Sequence, residues 1–340
     1  PEKGERRGQR PRPVPRLKQD QLDRITITTP GGKRAPKGPD GSAKNAADGV
    51  KVVLERSGEH KGAIEDQWRL TAPLKDEVDP HALKTLVSKL AELEFGDLVT
   101  ERKDRRAEHE VHDDGGIHVE VQGGGKALAD FRVGKVSHGF TMLRASGKNA
   151  IYQAVGSLRH VFEREVKNWR RRTVVKIKHD KVRQIEVTTA GAPGAGTIVV
   201  SRPDEKTDWK VVRSDAPVAS LEQSTVTRLV SSISNLTAAD FADNATFEQA
   251  GLDSPGVTVT AHLEGGKQET VLIGKRDGDN YWVKNARGPQ IFVLRKYTID
   301  NLRKRPIDFR EKSVLSFKAD SAVSLSIKKS EDKTSVTLTR

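Results

Sequence analysis

The sequence predicts an α+β protein of two tandem strand-rich repeats, each an antiparallel meander with one packed amphipathic helix and one short helix. Three observations predict it. A tryptophan strand recurs, as Trp68-Arg69-Leu70-Thr71-Ala72-Pro73 and as Trp209-Lys210-Val211-Val212 with Pro217 a little later. Each is followed by apolar residues at helical spacing: Leu83, Leu86, Val87, Leu90 and Leu93 first, then Val226, Leu229, Val230, Ile233 and Leu236. Beyond these helices the two stretches stay aligned at an offset of about 140 residues, the mark of an internal repeat.

The shared register is read residue by residue. Asp113, Gly116 and Val119 match Asp253, Gly256 and Val259. Gly134-Lys135 matches Gly274-Lys275, and Ile151-Tyr152 matches Ile291-Phe292. Asn168-Trp169-Arg170 matches Asp308-Phe309-Arg310, and Val174, Ile177, Ile185 and Val187 match Val314, Phe317, Leu325 and Ile327.

Taken in order, residues 1–18 are rich in arginine and proline and read as an extended basic linker. Residues 19–172 form the first module. It opens with strands Arg24 to Thr29 and Val50 to Arg56, and the intervening residues 30–49 lack apolar content and read as a disordered insertion. Asp79 as N-cap and Pro80 at the first helical position start the packed helix. Alternating apolar and polar residues from Ile117 to Val121, Leu128 to Val133, Phe140 to Arg144 and Ala150 to Ala154 predict the meander. A short helix around Val161 and Phe162 closes it. Residues 173–313 repeat the plan as the second module, its helix opened by Ser220 and Gln223 as a capping box. Residues 314–340 repeat the opening strands a third time, either as the start of an incomplete unit or as a C-terminal closing hairpin.

Composition narrows the chemistry. There are no cysteines, which excludes a disulfide scaffold, thiolate metal sites and a cysteine nucleophile. No stretch approaches the ~18 apolar residues that span a bilayer. The chain starts at Pro1 and its one methionine is Met142, so a preceding N-terminal segment is expected. The formal net charge of +13 favours polyanionic neighbours such as anionic lipid, acidic glycan or nucleic acid.

The candidate sites divide by whether the other copy keeps them. His109, His112, Asp113, Asp114 and His118 have metal-like spacing, but their counterparts include Gln249, Leu252 and Thr258, so a solvated turn is the expectation and no metal site is assigned. Gly123-Gly124-Gly125-Lys126 and Gly191 to Thr197 precede strand-like residues, not helices, and read as hairpin turns, not phosphate cradles. No nucleophile elbow, zinc-binding helix or linked carboxylate pair occurs, so neither a catalytic residue nor a cofactor is expected. The densest basic run supplies Arg170, Arg171, Arg172, Lys176 and Lys178 as a candidate polyanion or partner patch, set against a solvated strand edge. Trp68, Trp209 and Trp169, the last aligned with Phe309, read as core anchors.

The order of these motifs resembles the bacterial family called domain of unknown function 4340 (DUF4340). The motifs that carry the resemblance are Trp68 to Pro73, the leucine-rich helix Leu83 to Leu93, and Gly251-Leu252-Asp253-Ser254-Pro255-Gly256-Val257. Gly274-Lys275 and the closing Asp308-Phe309-Arg310 complete the set. The first copy departs at the turn, where Val111-His112-Asp113-Asp114-Gly115 replaces the Gly-Leu-Asp-Ser-Pro stretch. The resemblance implies a non-enzymatic, membrane-anchored accessory or scaffold protein at the periplasmic face of the inner membrane. It implies an N-terminal transmembrane helix before Pro1 and association with an ABC transporter complex of the gliding-motility type. The partners it implies are envelope proteins, ABC transporter subunits among them, with an anionic membrane surface as a further neighbour and nucleic acid set aside. The alternative expectation is a soluble module that binds a polyanion, an acidic glycan or nucleic acid.

Overall fold

A computed structural model describes residues 12–31, 49–57, 67–191, 193–312, 318–329 and 334–339. The first copy opens on β1 (Arg24–Thr29) and β2 (Val50–Arg56), then β3 (Trp68–Ala72), the two-residue β4 (Asp76–Glu77), helix α1 (Pro80–Ala91) and β5 (Phe95–Thr100). Strands β6 (Ile117–Gly123), β7 (Lys126–Ser137), β8 (Phe140–Ala145) and β9 (Ile151–Val155) form the meander, and the one-turn α2 (Arg159–Phe162) closes it. After β10 (Thr173–Lys176) the second copy runs through β11 (Val182–Thr189), β12 (Gly196–Ser201), β13 (Lys210–Ser214) and helix α3 (Gln223–Ser234). Then follow β14 (Asn235–Thr237), β15 (Asp240–Phe241), α4 (Phe247–Ala250), β16 (Val257–Leu263), β17 (Gln268–Asp277), β18 (Asn280–Asn285), β19 (Phe292–Arg295) and α5 (Lys296–Leu302). A hairpin of β20 (Ser324–Lys329) and β21 (Thr334–Thr339) comes last.

By packing, the chain groups into two compact units whose limits differ from those of the repeats. One comprises Pro1–Val174, Leu236–Ser254 and Gly274–Arg295; the other comprises Val175–Asn235, Pro255–Ile273 and Lys296–Arg340. In the first, nine strands pair in the order β4-β3-β2-β1-β6-β7-β8-β9-β5. In the second, β13, β12, β11, β16 and β17 pair in that sequence, all antiparallel. The two orders match strand for strand, because the same inward positions recur. Ile25 and Ile27 face Val121 and Val119, as Ile185 and Val187 face Ala261 and Val259.

Helix α1 forms as expected. Asp79 accepts from the Ala82 N–H at 2.8 Å, and Ala82, Leu83, Leu86, Val87 and Leu90 are buried. Full burial of one such leucine is worth about 1.5–3 kcal/mol. Trp68 and Trp169 are fully buried in the same core, where Phe131 meets Phe162 edge to face at 6.2 Å. Strand β5 was not foreseen; Phe95-Gly96-Asp97 interrupts the alternation that marks the other strands.

Two expectations at the boundaries are corrected. Val14 and Leu17 are buried in the first core, and Arg12 donates to the Leu93 carbonyl at 2.9 Å. The stretch from Arg12 to Lys18 therefore packs onto the module instead of forming an extended linker, because two apolar side chains among its prolines gain more by burial than by solvation. Residues 1–11 and most of the expected insertion lie outside the described residues. Helix α3 is capped by Glu222, whose side chain accepts from the Ser224 N–H, and not by Ser220. The Ser220 hydroxyl instead donates to Glu311 at 2.6 Å, and its carbonyl accepts from the Glu311 N–H at 2.9 Å, so the helix starts later. Gln223 turns back to bracket Trp209, its side chain both accepting from and donating to that backbone at 2.9 Å.

Candidate functional site

The basic run begins at a backbone lock. The Asp79 N–H donates to the Trp169 carbonyl at 2.8 Å, and the Arg171 N–H donates to the Glu77 carbonyl at 2.9 Å. The second copy repeats it: the Glu222 N–H donates to the Phe309 carbonyl at 2.8 Å, alongside the bond from Glu311 to Ser220. The closing Trp/Phe-Arg motif thus ties the end of each copy to the residues that start its long helix.

The lock turns Arg170 inward. Its Nε donates to Asp76, and its two terminal nitrogens donate to Asp243 at 2.6 and 2.8 Å. Nη2 also reaches Gln290 Oε1 at 3.2 Å, and the guanidinium carbon lies 3.6 Å from the centre of the Phe241 ring. Burial works against its charge, but the hydrogen bonds to Asp243 and Asp76 outweigh it and hold the guanidinium above its ordinary pKa. At 1% exposure Arg170 has no surface to offer a polyanion, which corrects its place in the candidate patch. Of the other patch residues, Arg171 is half-buried and 3.2 Å from Glu77. Arg172 is half-buried as well, while Lys176 and Lys178, which fall in the second unit, are exposed. Asp76, Asp243 and Phe241 escaped the sequence reading because nothing in their local spacing marks them as partners of one arginine.

A second ionic anchor occupies the histidine turn. Asp113 accepts from buried Arg144, with Arg106 at 3.8 Å and Arg132 at 3.9 Å. Arg144 also donates to the carbonyls of Val111 at 2.8 Å and Lys148 at 3.0 Å. The hydrogen bond from Arg144 is the main cause that holds the Asp113 carboxyl below the usual range. The turn is therefore an anchored corner and not simply a solvated one. His109 is buried, and burial followed by the charge of Lys135 lowers its pKa.

His118 stands apart from that corner, on the β6–β7 face, where Nε2 lies 2.7 Å from Asp130. His118, Glu120 and Asp130 bring ligand atoms within 4.8 Å of one another, the grouping among the described residues that could hold a metal ion. Glu120 faces Asp130 across the strand pair. At the equivalent pair in the second copy, Thr260 and Thr270 share a hydroxyl hydrogen bond of 3.0 Å. The strand pair thus forms with either neutral or charged partners.

The glycine-rich segments are turns. Gly124 and Gly125 take positive φ between β6 and β7, and Gly191 and Gly194 do so between β11 and β12. Neither leads into a helix, so neither presents a helix N-terminus to an anion. Beside the Arg170 clamp lies a cleft of about 620 Å³, with Phe241, Asp243, Gln249, Asp277, Trp282 and Val293 among its walls. Aromatic faces and carboxylates can receive a polar or cationic group there, and no nucleophile paired with a base is among them.

A family model described as Domain of unknown function (DUF4340) matches residues 68–255 and again 209–340, the two matches starting on Trp68 and Trp209. No curated protein and no solved structure matches the chain.

Proposed function

The chain belongs to the DUF4340 family, carrying two copies of its domain, and we propose that it is a non-enzymatic, membrane-anchored accessory or scaffold protein. On this reading it works outside the cytoplasm, at the periplasmic face of the inner membrane, through contacts with an ABC transporter complex of the gliding-motility type. One observation carries the scaffold part: side chains shared by the copies serve the fold. Trp68 and Trp209 are buried, and Trp169 and Phe309 anchor the same backbone lock. Surfaces left to diverge between copies, including sheet edges that can accept a partner strand, are where a scaffold varies its contacts. None of the helices in the described residues is long and apolar enough to cross a membrane.

The test is made on the full gene product in its native host. We expect it in the inner-membrane fraction, protease-accessible from the periplasmic side, and crosslinked to subunits of an ABC transporter. Recovery in the cytosol, or crosslinks to no transporter subunit, refutes the reading. The net charge of +13 supports the second reading, a polyanion-binding module. That reading expects steeply salt-dependent retention on heparin or DNA. It also expects retention to fall when Arg172, Lys176 and Lys178 are replaced by alanine.

A further inference from the structure

Strands β7 and β8 set two arginines against each other. Arg132 pairs directly with Arg144 across the strands, on the face opposite to the one that sends Phe131, Val133 and Leu143 into the first core. Like charges placed opposite one another destabilise a strand pair, and Arg106, from the loop before β6, adds a third guanidinium. One carboxylate serves all three. Asp113 accepts from Arg144 and lies 3.8 Å from Arg106 Nη1 and 3.9 Å from Arg132 Nε. No other carboxylate among the described residues forms an ion pair with any of them. Asp130, whose charge also interacts with Arg132, is engaged by His118 and Ser146.

The Arg170 clamp has the opposite balance. There one guanidinium has two carboxylates, whereas at this corner three guanidiniums share one and two positive charges are left over. The arginine side chains are 12%, 17% and 1% exposed at Arg106, Arg132 and Arg144, so solvent screens that surplus poorly. The Nε atoms of Arg106 and Arg132 are buried with no hydrogen-bond acceptor among the described residues. Asp113, on which the three converge, is 63% exposed and in contact with solvent.

The second copy builds the same turn without this cluster. Asp253 keeps the acid, while Thr246, Leu272 and Lys284 stand where the first copy has Arg106, Arg132 and Arg144. Asp253 is exposed, and Lys284 lies over the Phe247 ring at 4.3 Å. A turn that closes with threonine, leucine and lysine does not require three arginines.

We propose that Arg106, Arg132 and Arg144 form a binding site for a phosphate group, carried as free phosphate or as the phosphomonoester headgroup of a lipid. Two surplus positive charges match a dianion, and guanidinium forks suit the oxygens of a tetrahedral anion. Asp113 competes with the ligand for the same donors. The site belongs to the first copy alone and is separate from Arg172, Lys176 and Lys178. It holds whether or not the scaffold reading does.

Isothermal titration with inorganic phosphate tests it on the 340-residue chain, at neutral pH and constant ionic strength, with melting followed in parallel. A saturable single site is expected, with a melting point that rises with phosphate. Arg132→Gln and Arg106→Gln should each weaken binding at least about tenfold. Asp113→Asn removes the competitor and should tighten binding at least about tenfold, even though the free variant is less stable at this pH. Asp114→Asn, exposed on the same turn, should leave affinity within about threefold. Should the arginine variants fail to fold, the contrast between the two aspartate variants still decides. Vesicles of phosphatidylcholine with phosphatidic acid supply a second arm. Retention that is lost in Arg132→Gln makes the ligand a lipid headgroup, and phosphate binding without such retention makes it free phosphate. Absence of both overturns the proposal. So does equal tightening by Asp113→Asn and Asp114→Asn, which is a general charge effect, or any weakening by Asp113→Asn.

Discussion

At single residues, the motif glycines and arginines report close approaches. Gly134 and Gly274 are equivalent, and a Cβ on either would fall 2.1 Å from the His109 carbonyl oxygen or 2.0 Å from that of Ala250. Backbone crosses backbone there, so the Gly-Lys motif is a packing requirement. Gly274→Ala should destabilise by about 1–3 kcal/mol as an overpacked site, measured by thermal or urea unfolding; a neutral result would show that the crossing relaxes easily. Arg170→Met leaves Asp76 and Asp243 without their cation and should cost about 3–5 kcal/mol. Arg171→Ala, whose ion pair with Glu77 is half exposed, should cost under about 1 kcal/mol. If the two cost the same, the clamp contributes no more than a surface pair.

Asp113 adds a pH dependence at the same scale. Its carboxyl is held low chiefly by the Arg144 hydrogen bond, so the folded state binds that proton less tightly than the unfolded chain. The stability it confers is complete above the ordinary carboxylate range and is lost as pH falls through its lowered folded value. Melting curves of the parent protein and Asp113→Asn should therefore differ most near neutral pH and converge in acid. A gap that stays constant with pH would refute the linkage.

For the elements, helix starts decide the packing. Asp79→Ala removes the acceptor for the Ala82 N–H and should cost about 1 kcal/mol. Leu86→Ala on the buried face of α1 should cost about 2–5 kcal/mol. Circular dichroism melts that place the cap loss above the core loss would contradict this order. Strands with clean alternation, such as Ile117–Gly123 with its regular burial pattern, were legible from sequence, although β7 runs past Val133 to Ser137. Elements with competing side-chain bonds were not. Ser220 looked like a cap but is taken by Glu311, and α4 takes its capping box from Thr246 and Gln249 after a stretch with little periodicity. Its end uses Gly251 at φ 65°, whereas the first copy places Glu110 at φ 56° in that corner.

Across the whole molecule, the repeat acts as an internal control on function. Among the positions where the copies agree, Trp68 and Trp209 are buried and Gly134 and Gly274 are crossed by backbone. Where they differ, as at Glu120 and Asp130 against Thr260 and Thr270, the surface chemistry changes while the strand pairing stays. The scaffold reading predicts that exchanging His118, Glu120 and Asp130 for threonines leaves the melting temperature within a few degrees. It also predicts that transporter crosslinking depends on positions where the copies diverge, with loss of crosslinks at shared positions alone counting against it.

The sequence by itself determined the repeat, the strand periodicity, the helix faces and the burial of the tryptophans, because each is written in spacings of a few residues. Tertiary structure alone decided what the charged residues do. Arg170 and Asp243 lie 73 positions apart, and Arg144 and Asp113 lie 31 apart. Whether an arginine faces water or a pair of carboxylates depends on which distant segment the fold lays over it. Charge density along the chain therefore nominated a surface patch, and folding withdrew its first residue, Arg170, into a clamp.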